Sequence, residues 1–292
     1  MTETFPRLAD VEKAILADEI GLETGIYGQY RLKTSYQPIF RREGANLALF
    51  ALEARLAPQL AGKQITAAEF FEQVAPDDRR FVETLSRVLH LRNHRNIGVD
   101  NVANLRLYLT IDPDLDMRDQ GVGSLDSIAR IAEEADLSPA MIICEILDAP
   151  ELPMDGLAGI ANELSCCGMQ ISIAAFRAGK SAIDRVTLIG PNVIKIDGAW
   201  FRGVQDKAET ARLFPAVLTA FKGLGAKLLV QGIETSSELE AALDAGADYL
   251  QGRLLAGPAL VGTVVDDSPR PVARLLARED RKIVPFGRHR KG

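Results

Sequence analysis

His90 and His94 stand four residues apart on a stretch with helical periodicity, the spacing at which two imidazoles can share a metal ion. No Glu or third ligand accompanies them, and Arg92 and Arg95 lie close by, so a solvated helix face is expected. Cys144, Cys166 and Cys167 have no metal-ligand spacing and read as reduced thiols packed as small hydrophobes, as in a cytosolic protein. Met169-Gln-Ile-Ser-Ile-Ala-Ala-Phe176 reads as a buried strand stopped by a turn at Arg177-Ala-Gly179. In a parallel α/β protein the chemistry sits where such strands end. This strand ends in Ala174 and Ala175, which can neither bind a metal nor move a proton.

The elements around that strand come in a regular order. Leu8 to Leu22 carries apolar residues on one side with acidic residues between them, and predicts an amphipathic helix. Tyr36 to Phe40 and Leu47 to Leu56, joined by a polar turn, predict a hairpin. Thr66 to Glu69 is a capping box, and a longer helix is expected from about Asp78 to His94. Strands then alternate with helices. The strands fall at Leu105 to Asp112, Ala140 to Leu147, Met169 to Phe176, Val193 to Asp197, Lys227 to Ile233 and Tyr249 to Leu255. Helices fall at Ser124 to Glu134, Leu157 to Cys166 and Ser181 to Leu188. A helix over Ala208 to Phe221 is expected to kink or break at Pro215, and another follows the capping box at Thr235 to Glu238. Such alternation implies right-handed βαβ units and, with seven or so strands, a closed barrel more than an open sheet. Trp200 is expected to pack on the barrel wall. The chain lacks GxGxxG and GxxxxGK[ST], so Rossmann and P-loop readings have no fingerprint.

With 292 residues, 47% of them apolar, the chain can bury a barrel-sized core. A formal net charge of −6 argues against nucleic acid as the partner. No basic-then-apolar leader and no apolar run near the ~20 residues of a membrane span is seen, so a cytoplasmic location is expected. The boundaries expected are an N-terminal helical extension over 1–30, a barrel over 31–265 and a basic C-terminal tail over 266–292. In that tail Arg270 to Arg281 predicts a short helix, and Phe286 to Gly292, including His289, predicts disorder.

The strand ends carry a series in order: Tyr36-Gln-Pro-Ile39, Glu145-Ile-Leu-Asp148, Ile194-Lys-Ile-Asp197, Gln231-Gly-Ile-Glu-Thr235 and Gln251-Gly-Arg-Leu-Leu-Ala-Gly-Pro258. Together, over about Tyr36 to Leu260, they resemble the EAL domain family of cyclic di-GMP phosphodiesterases. The resemblance implies a modified TIM-type (β/α)8 barrel with an antiparallel first hairpin. Active members hydrolyse a phosphodiester with two divalent metals held by converging carboxylates.

Carried over residue by residue, the resemblance implies a depleted site. Counting without gaps from Gln37, the metal-binding Glu of the family falls on Ala51, and its Arg is kept as Arg55. Glu53 lies two residues on, along the same strand face; a shifted alignment would make it the ligand at the cost of the match at Arg55. The metal-binding Asn falls on Thr110. Glu145 is kept, and its motif partner becomes the shorter Asp148. The paired Asp residues become Ala174 and Ala175. Lys195 and Asp197 are kept. The family's base becomes Gln231, which cannot accept a proton, while the Glu that supports a nearby loop is kept as Glu234. Losing the base alone costs roughly 10²–10⁴ in rate. In a site without metals, Glu145 and Asp197 are expected to neutralise Lys195.

The resulting expectation is a catalytically inactive, stand-alone regulatory module that acts through an unidentified protein partner and needs no cofactor or metal. A homodimer is a further expected assembly. The alternatives are a metal-independent cyclic di-GMP receptor using Gln37, Arg55, Gln251 and Pro258, and a residual cyclic di-GMP phosphodiesterase.

Overall fold

The computed structural model describes residues 8–98, 104–113, 125–147, 153–174, 180–205 and 208–277. Asp148, Ala175 and the tail from Arg278 onward lie outside them.

The helix expected through Leu22 is short, Leu8–Lys13. The chain continues as a strand, Ile15–Ala17, that pairs antiparallel with Glu23–Tyr27. The reversal has a local cause. Asp18 Oδ1 accepts from the backbone N–H groups of Ile20 and Leu22, and Gly21 sits at φ 82°, a conformation that ends a helix. Ile20, placed on the apolar face by helical spacing, is instead 75% exposed.

The hairpin is longer than expected. Strand β1 (Tyr30–Glu43) and strand β2 (Asn46–Leu60) pair antiparallel and turn at Gly44. Six strands follow: β3 (Arg106–Ile111), β4 (Ile142–Ile146), β5 (Gln170–Ala174), β6 (Val193–Ile196), β7 (Lys227–Val230) and β8 (Tyr249–Leu250). From β2 to β8 each pairs parallel with the next, and β8 closes antiparallel on β1. The result is a closed eight-strand barrel of TIM type with an antiparallel first hairpin, as expected. Alternation sorts the side chains. Ile39, Ala51, Tyr108, Ile143, Val193 and Leu229 form a buried cluster inside the barrel. Leu107, Leu109, Ile142, Cys144 and Ile146 belong to a core shared with the outer helices.

Both capping boxes form, with Thr66 and Thr235 accepting from the third residue of their helices. The helix Ala208–Gly223 runs through Pro215 without ending there. Trp200 is half-buried against a core cluster, as expected of a wall residue. Cys144 is buried, but Cys166 is exposed and so does not pack as a small hydrophobe. Arg270–Pro271 pairs with β2, and Val272–Leu276 is a helical turn that buries Leu275. No helix among the described residues is long and apolar enough to cross a membrane.

The largest correction concerns the two histidines. Helix α1 (Arg79–Arg92) turns His90 inward, and a 3-10 turn places His94 beneath it; both are buried, not solvated. The His90 ring shares a hydrogen bond with the Thr34 hydroxyl at 2.9 Å, and Tyr36 Oη donates to the His90 carbonyl at 2.7 Å. His94 meets the Tyr36 ring edge-on. Burial, aided by the charge of Arg87, holds the His90 pKa at about 3, and burial holds that of His94 at about 4.

Two predictions follow from this packing. A Cβ at Gly252 would lie 2.0 Å from the Ile233 carbonyl oxygen, whereas one on the exposed, mid-helix Gly159 would meet nothing within 4 Å. Gly252→Ala should lower the urea midpoint sharply, and Gly159→Ala should raise stability by about 0.5–1 kcal/mol. Equal effects would contradict the packing. Between the depressed pKa values of His90 and His94 and the ordinary 6.5, the unfolded chain binds protons that the folded chain refuses. Stability should therefore fall as pH drops from about 6.5 toward 4. A His90→Gln, His94→Gln variant should lose most of that slope; an unchanged slope would show that the histidines are not its source.

Candidate functional site at the barrel mouth

Above the apolar interior layer, the inward-facing positions turn polar. β2 brings Glu53, β4 brings Glu145 and β6 brings Lys195; all three are buried. Lys195 Nζ donates to Glu53 Oε1 at 2.9 Å and to Glu145 Oε2 at 2.7 Å. The other oxygen of Glu53 accepts from Gln251 Nε2 at 2.6 Å and from Arg55 Nη2 at 2.8 Å. Glu53 is thus the hub of the mouth. The gapless count gave its place to Ala51, which lies deeper, fully buried in the apolar layer. A signal for Glu53 was present in the sequence: it shares a strand face with Ala51 and Arg55, one step nearer the strand's mouth end than Ala51.

The charges are set by these contacts. Burial works against ionisation of Glu53, but Lys195 and Arg55 outweigh it and hold the carboxyl at about 2. Glu145 moves the other way. Burial and the nearby charge of Glu53 raise its pKa, although Lys195 opposes them. Glu145 lacks the direct Arg55 hydrogen bond that Glu53 has, so the two carboxylates diverge around one ammonium. Burial alone would depress the pKa of Lys195; the two carboxylates more than reverse it and keep the group protonated.

Asp197 does not pair with Lys195, contrary to expectation. Its Oδ1 accepts from the backbone N–H groups of Ala199 and Trp200 and so caps helix α2 (Gly198–Gln205). Its Oδ2 accepts from Gln231 Nε2 at 3.2 Å. Glu234 is exposed, and its backbone N–H donates to Glu238. Thr110, in register with Glu145, is exposed. Ala174 is in register with Lys195. Gln37 is buried and donates to the Ala256 carbonyl at 3.3 Å. Arg55, whose side chain is 44% exposed, and Pro258 border a cavity of about 460 Å³ that also meets Glu53, Phe71, Arg87 and Thr110. The structure therefore joins Arg55, Gln251, Lys195 and Glu145 through Glu53, and leaves Asp197 and Gln231 as a separate pair.

Two divalent ions need several free carboxylate oxygens. Here Glu53 and Glu145 each give an oxygen to Lys195, and both oxygens of Asp197 are engaged. No three His, Cys, Asp or Glu side chains among the described residues are grouped to hold a metal ion. The described donors, as arranged, do not fit a metal pair.

Comparison with known proteins places this geometry. The EAL domain model matches residues 22–258. A bifunctional diguanylate cyclase/cyclic di-GMP phosphodiesterase of Pseudomonas aeruginosa, MucR, is 26% identical over 137 residues, which is 47% of this chain and 20% of MucR. The uncharacterized EAL-domain containing protein YkuI of Bacillus subtilis is 23% identical over 228 residues, 76% of this chain and 54% of YkuI. The chain thus spans about a fifth to a half of the length of these two relatives. Among solved structures, Klebsiella pneumoniae BlrP1 in a calcium/cy-diGMP complex superposes with a TM-score of 0.68 at 20% identity, covering 79% of this chain and 56% of that one.

These findings correct the expectation of an inactive module that is not an enzyme. The family match, and relatives that include cyclic di-GMP phosphodiesterases, favour the phosphodiesterase alternative. They also give no support to the expected regulatory protein partner or homodimer. The expectation of inactivity counted lost side chains along one gapless register, in which Glu53 became a ligand only if the alignment shifted; the structure places that carboxylate at the mouth. The described residues do not show that activity is lost. The chain belongs to the EAL domain family.

Proposed function

We propose that the chain binds cyclic di-GMP at the barrel mouth and hydrolyses it as a phosphodiesterase of the EAL family. The family match over residues 22–258 is the observation that carries this reading. The geometry supports it in three ways. The cavity beside Arg55, about 460 Å³, has the size of a small-molecule site and can take one part of a dinucleotide. The Arg55 guanidinium is half-exposed and can pair bidentately with a phosphodiester. Arg55 can also turn toward a ligand at little cost to Glu53. Lys195 and Gln251 still hold one oxygen each, so no buried carboxylate is stranded.

Hydrolysis requires water to attack phosphorus and give a proton to a base, while the ester P–O bond breaks and the leaving sugar oxygen takes up a proton. Glu53 is locked as an anion with little proton affinity, whereas burial raises that of Glu145. Of the two, Glu145 is the better proton acceptor. Positive charge for the phosphate comes from Arg55 at the rim and Lys195 below it. One observation favours the second reading, metal-independent binding: the Lys195 ammonium already fills the space between the two carboxylates.

The test is incubation with cyclic di-GMP with and without Mn²⁺, read by chromatography for the linear dinucleotide and by calorimetry for binding. Product is expected, and Arg55→Ala should weaken binding roughly 10- to 100-fold, the loss of a charged hydrogen bond. Binding without product would leave the receptor reading in its place. Neither binding nor product would overturn both, and an indifferent Arg55→Ala would move the phosphate elsewhere.

A further inference from the structure

We propose that Gln231 is a fixed hydrogen-bond acceptor at the barrel mouth, and that Asp197 is a positioning residue that turns the Gln231 carbonyl toward the ligand. This rests on the mouth being the cyclic di-GMP site, and names a further group that reads what binds there. Leu229 on β7 and Lys195 on β6 are in register, and Leu229 belongs to the apolar layer inside the barrel. Gln231 and Asp197 each stand two residues beyond that pair. Alternation therefore keeps both on the inner face, one step above the ion bridge, and both are partly exposed.

Asp197 decides which end of the Gln231 amide faces the ligand. Its Oδ1 accepts from the backbone N–H groups of Ala199 and Trp200, and its Oδ2 lies 3.2 Å from the Gln231 amide. A carboxylate accepts and does not donate, so the amide atom facing it is the nitrogen. The carbonyl oxygen, with two lone pairs, lies on the other arm of the amide, turned from Asp197. The backbone that carries this amide is clamped. Gln231 N–H donates to the Ile196 carbonyl at 3.1 Å, and Arg202 Nη1 donates to the Gly232 carbonyl at 2.8 Å. Gly232 sits at φ 74° and presses on the first residue of α2: a Cβ on it would lie 3.0 Å from Gly198 Cα. Ile233 N–H donates to the Gln251 carbonyl at 3.0 Å, and Leu254 N–H donates to the Ile233 carbonyl at 3.1 Å. The ends of β6, β7 and β8 are thereby tied together, and the acceptor is oriented before a ligand arrives.

Gln231 stands where the resemblance implies a base, but an amide carbonyl takes a hydrogen bond and not a proton. It suits a neutral O–H or N–H donor. That donor is either a group of the nucleotide or the attacking water, whose proton goes to Glu145 in the reading above. Both sources share the chemistry, and they part in what they affect: a nucleotide group governs affinity, and the water governs turnover.

Asp197→Asn separates orienting from capping. The Asn Oδ1 still accepts from the two backbone N–H groups, so the cap on α2 and the thermal midpoint should be kept. Its amide nitrogen now donates toward Gln231, so the Gln231 amide turns over and shows N–H groups to the mouth. Asp197→Ser also caps but no longer holds Gln231, and takes the place of Asp197→Asn should that variant not fold. The experiment measures calorimetric affinity for cyclic di-GMP and the rate of linear dinucleotide formation in wild type, Asp197→Asn and Gln231→Leu. It adds ¹⁵N NMR of the Gln231 side-chain amide without nucleotide, assigned by its loss in Gln231→Leu. The amide signal should shift in Asp197→Asn, and both variants should lose roughly 10-fold, the worth of one hydrogen bond. A loss in affinity identifies the donor as a nucleotide group; a loss in rate at unchanged affinity identifies it as the water. Variants that bind and turn over like wild type would overturn the proposal and leave the cyclic di-GMP reading standing. An amide signal that ignores Asp197→Asn would overturn the role of Asp197. A wild-type chain that neither binds nor turns over would sink the reading, and the acceptor role with it.

Discussion

A lysine that is 2% exposed stays charged only if something in the fold replaces the water its ammonium has lost. In this barrel that something is a pair of carboxylates on two other strands. Removing one member of such a buried set typically costs about 3–5 kcal/mol, because the remaining charges are stranded. The three-residue bridge therefore does two things at once. It ties β2, β4 and β6 together across the barrel, and it decides how much charge the mouth can offer a ligand.

The rest of the fold arranges for that bridge to exist. Strand alternation sends Ile39, Ala51, Tyr108, Ile143, Val193 and Leu229 inward as an apolar layer. One step up the strands, the same inward face presents Glu53, Glu145 and Lys195. The antiparallel hairpin matters because it sets β2 beside β3, where Glu53, two residues beyond Ala51 on the same strand face, carries its carboxylate past that layer. Gln251, following the short closing strand β8, then reaches across to the Glu53 oxygen that Arg55 also holds. The backbone near that point tolerates no side chain at Gly252, where the Ile233 carbonyl passes too close. Arg55 is the one member of the network that reaches the rim, and it lies beside the cavity in which a ligand would sit.

Most of the barrel was legible because period-two alternation and capping boxes are local signals. The elements that were misread depended on something not local. The expected N-terminal helix stops at Lys13, because the chain beyond it pairs as a strand with Glu23–Tyr27 across an Asx-type turn at Asp18 and Gly21 that apolar spacing does not show. The histidines were read as solvated because a four-residue spacing gives their shared face but not which way that face points; the packing of α1 on β1 turns it inward. Asp197 was read as a partner of Lys195, yet an Asp directly before a helix is a capping signal, and the cap won. Glu53 was read as a ligand only under a shifted alignment, not as the centre of the mouth. Motif counting fixed attention on Ala51, while the physical requirement, a carboxylate at the level of Lys195, was met two residues further along the strand.

The family assignment and the geometry pull on the same site from different sides. Membership brings an expectation of phosphodiester chemistry, and the described side chains supply a half-exposed arginine beside a cavity, over an ion bridge with no group of three metal-ligating side chains. Both are reconciled if the bridge serves as the floor of a nucleotide site. The most direct measurement is a crystal structure of the chain with cyclic di-GMP and no added divalent metal. The account predicts a phosphate on the Arg55 guanidinium, with Lys195 still bonded to Glu53 and Glu145 beneath it. A nucleotide bound outside the mouth, or a Lys195 turned away from both carboxylates, would contradict it.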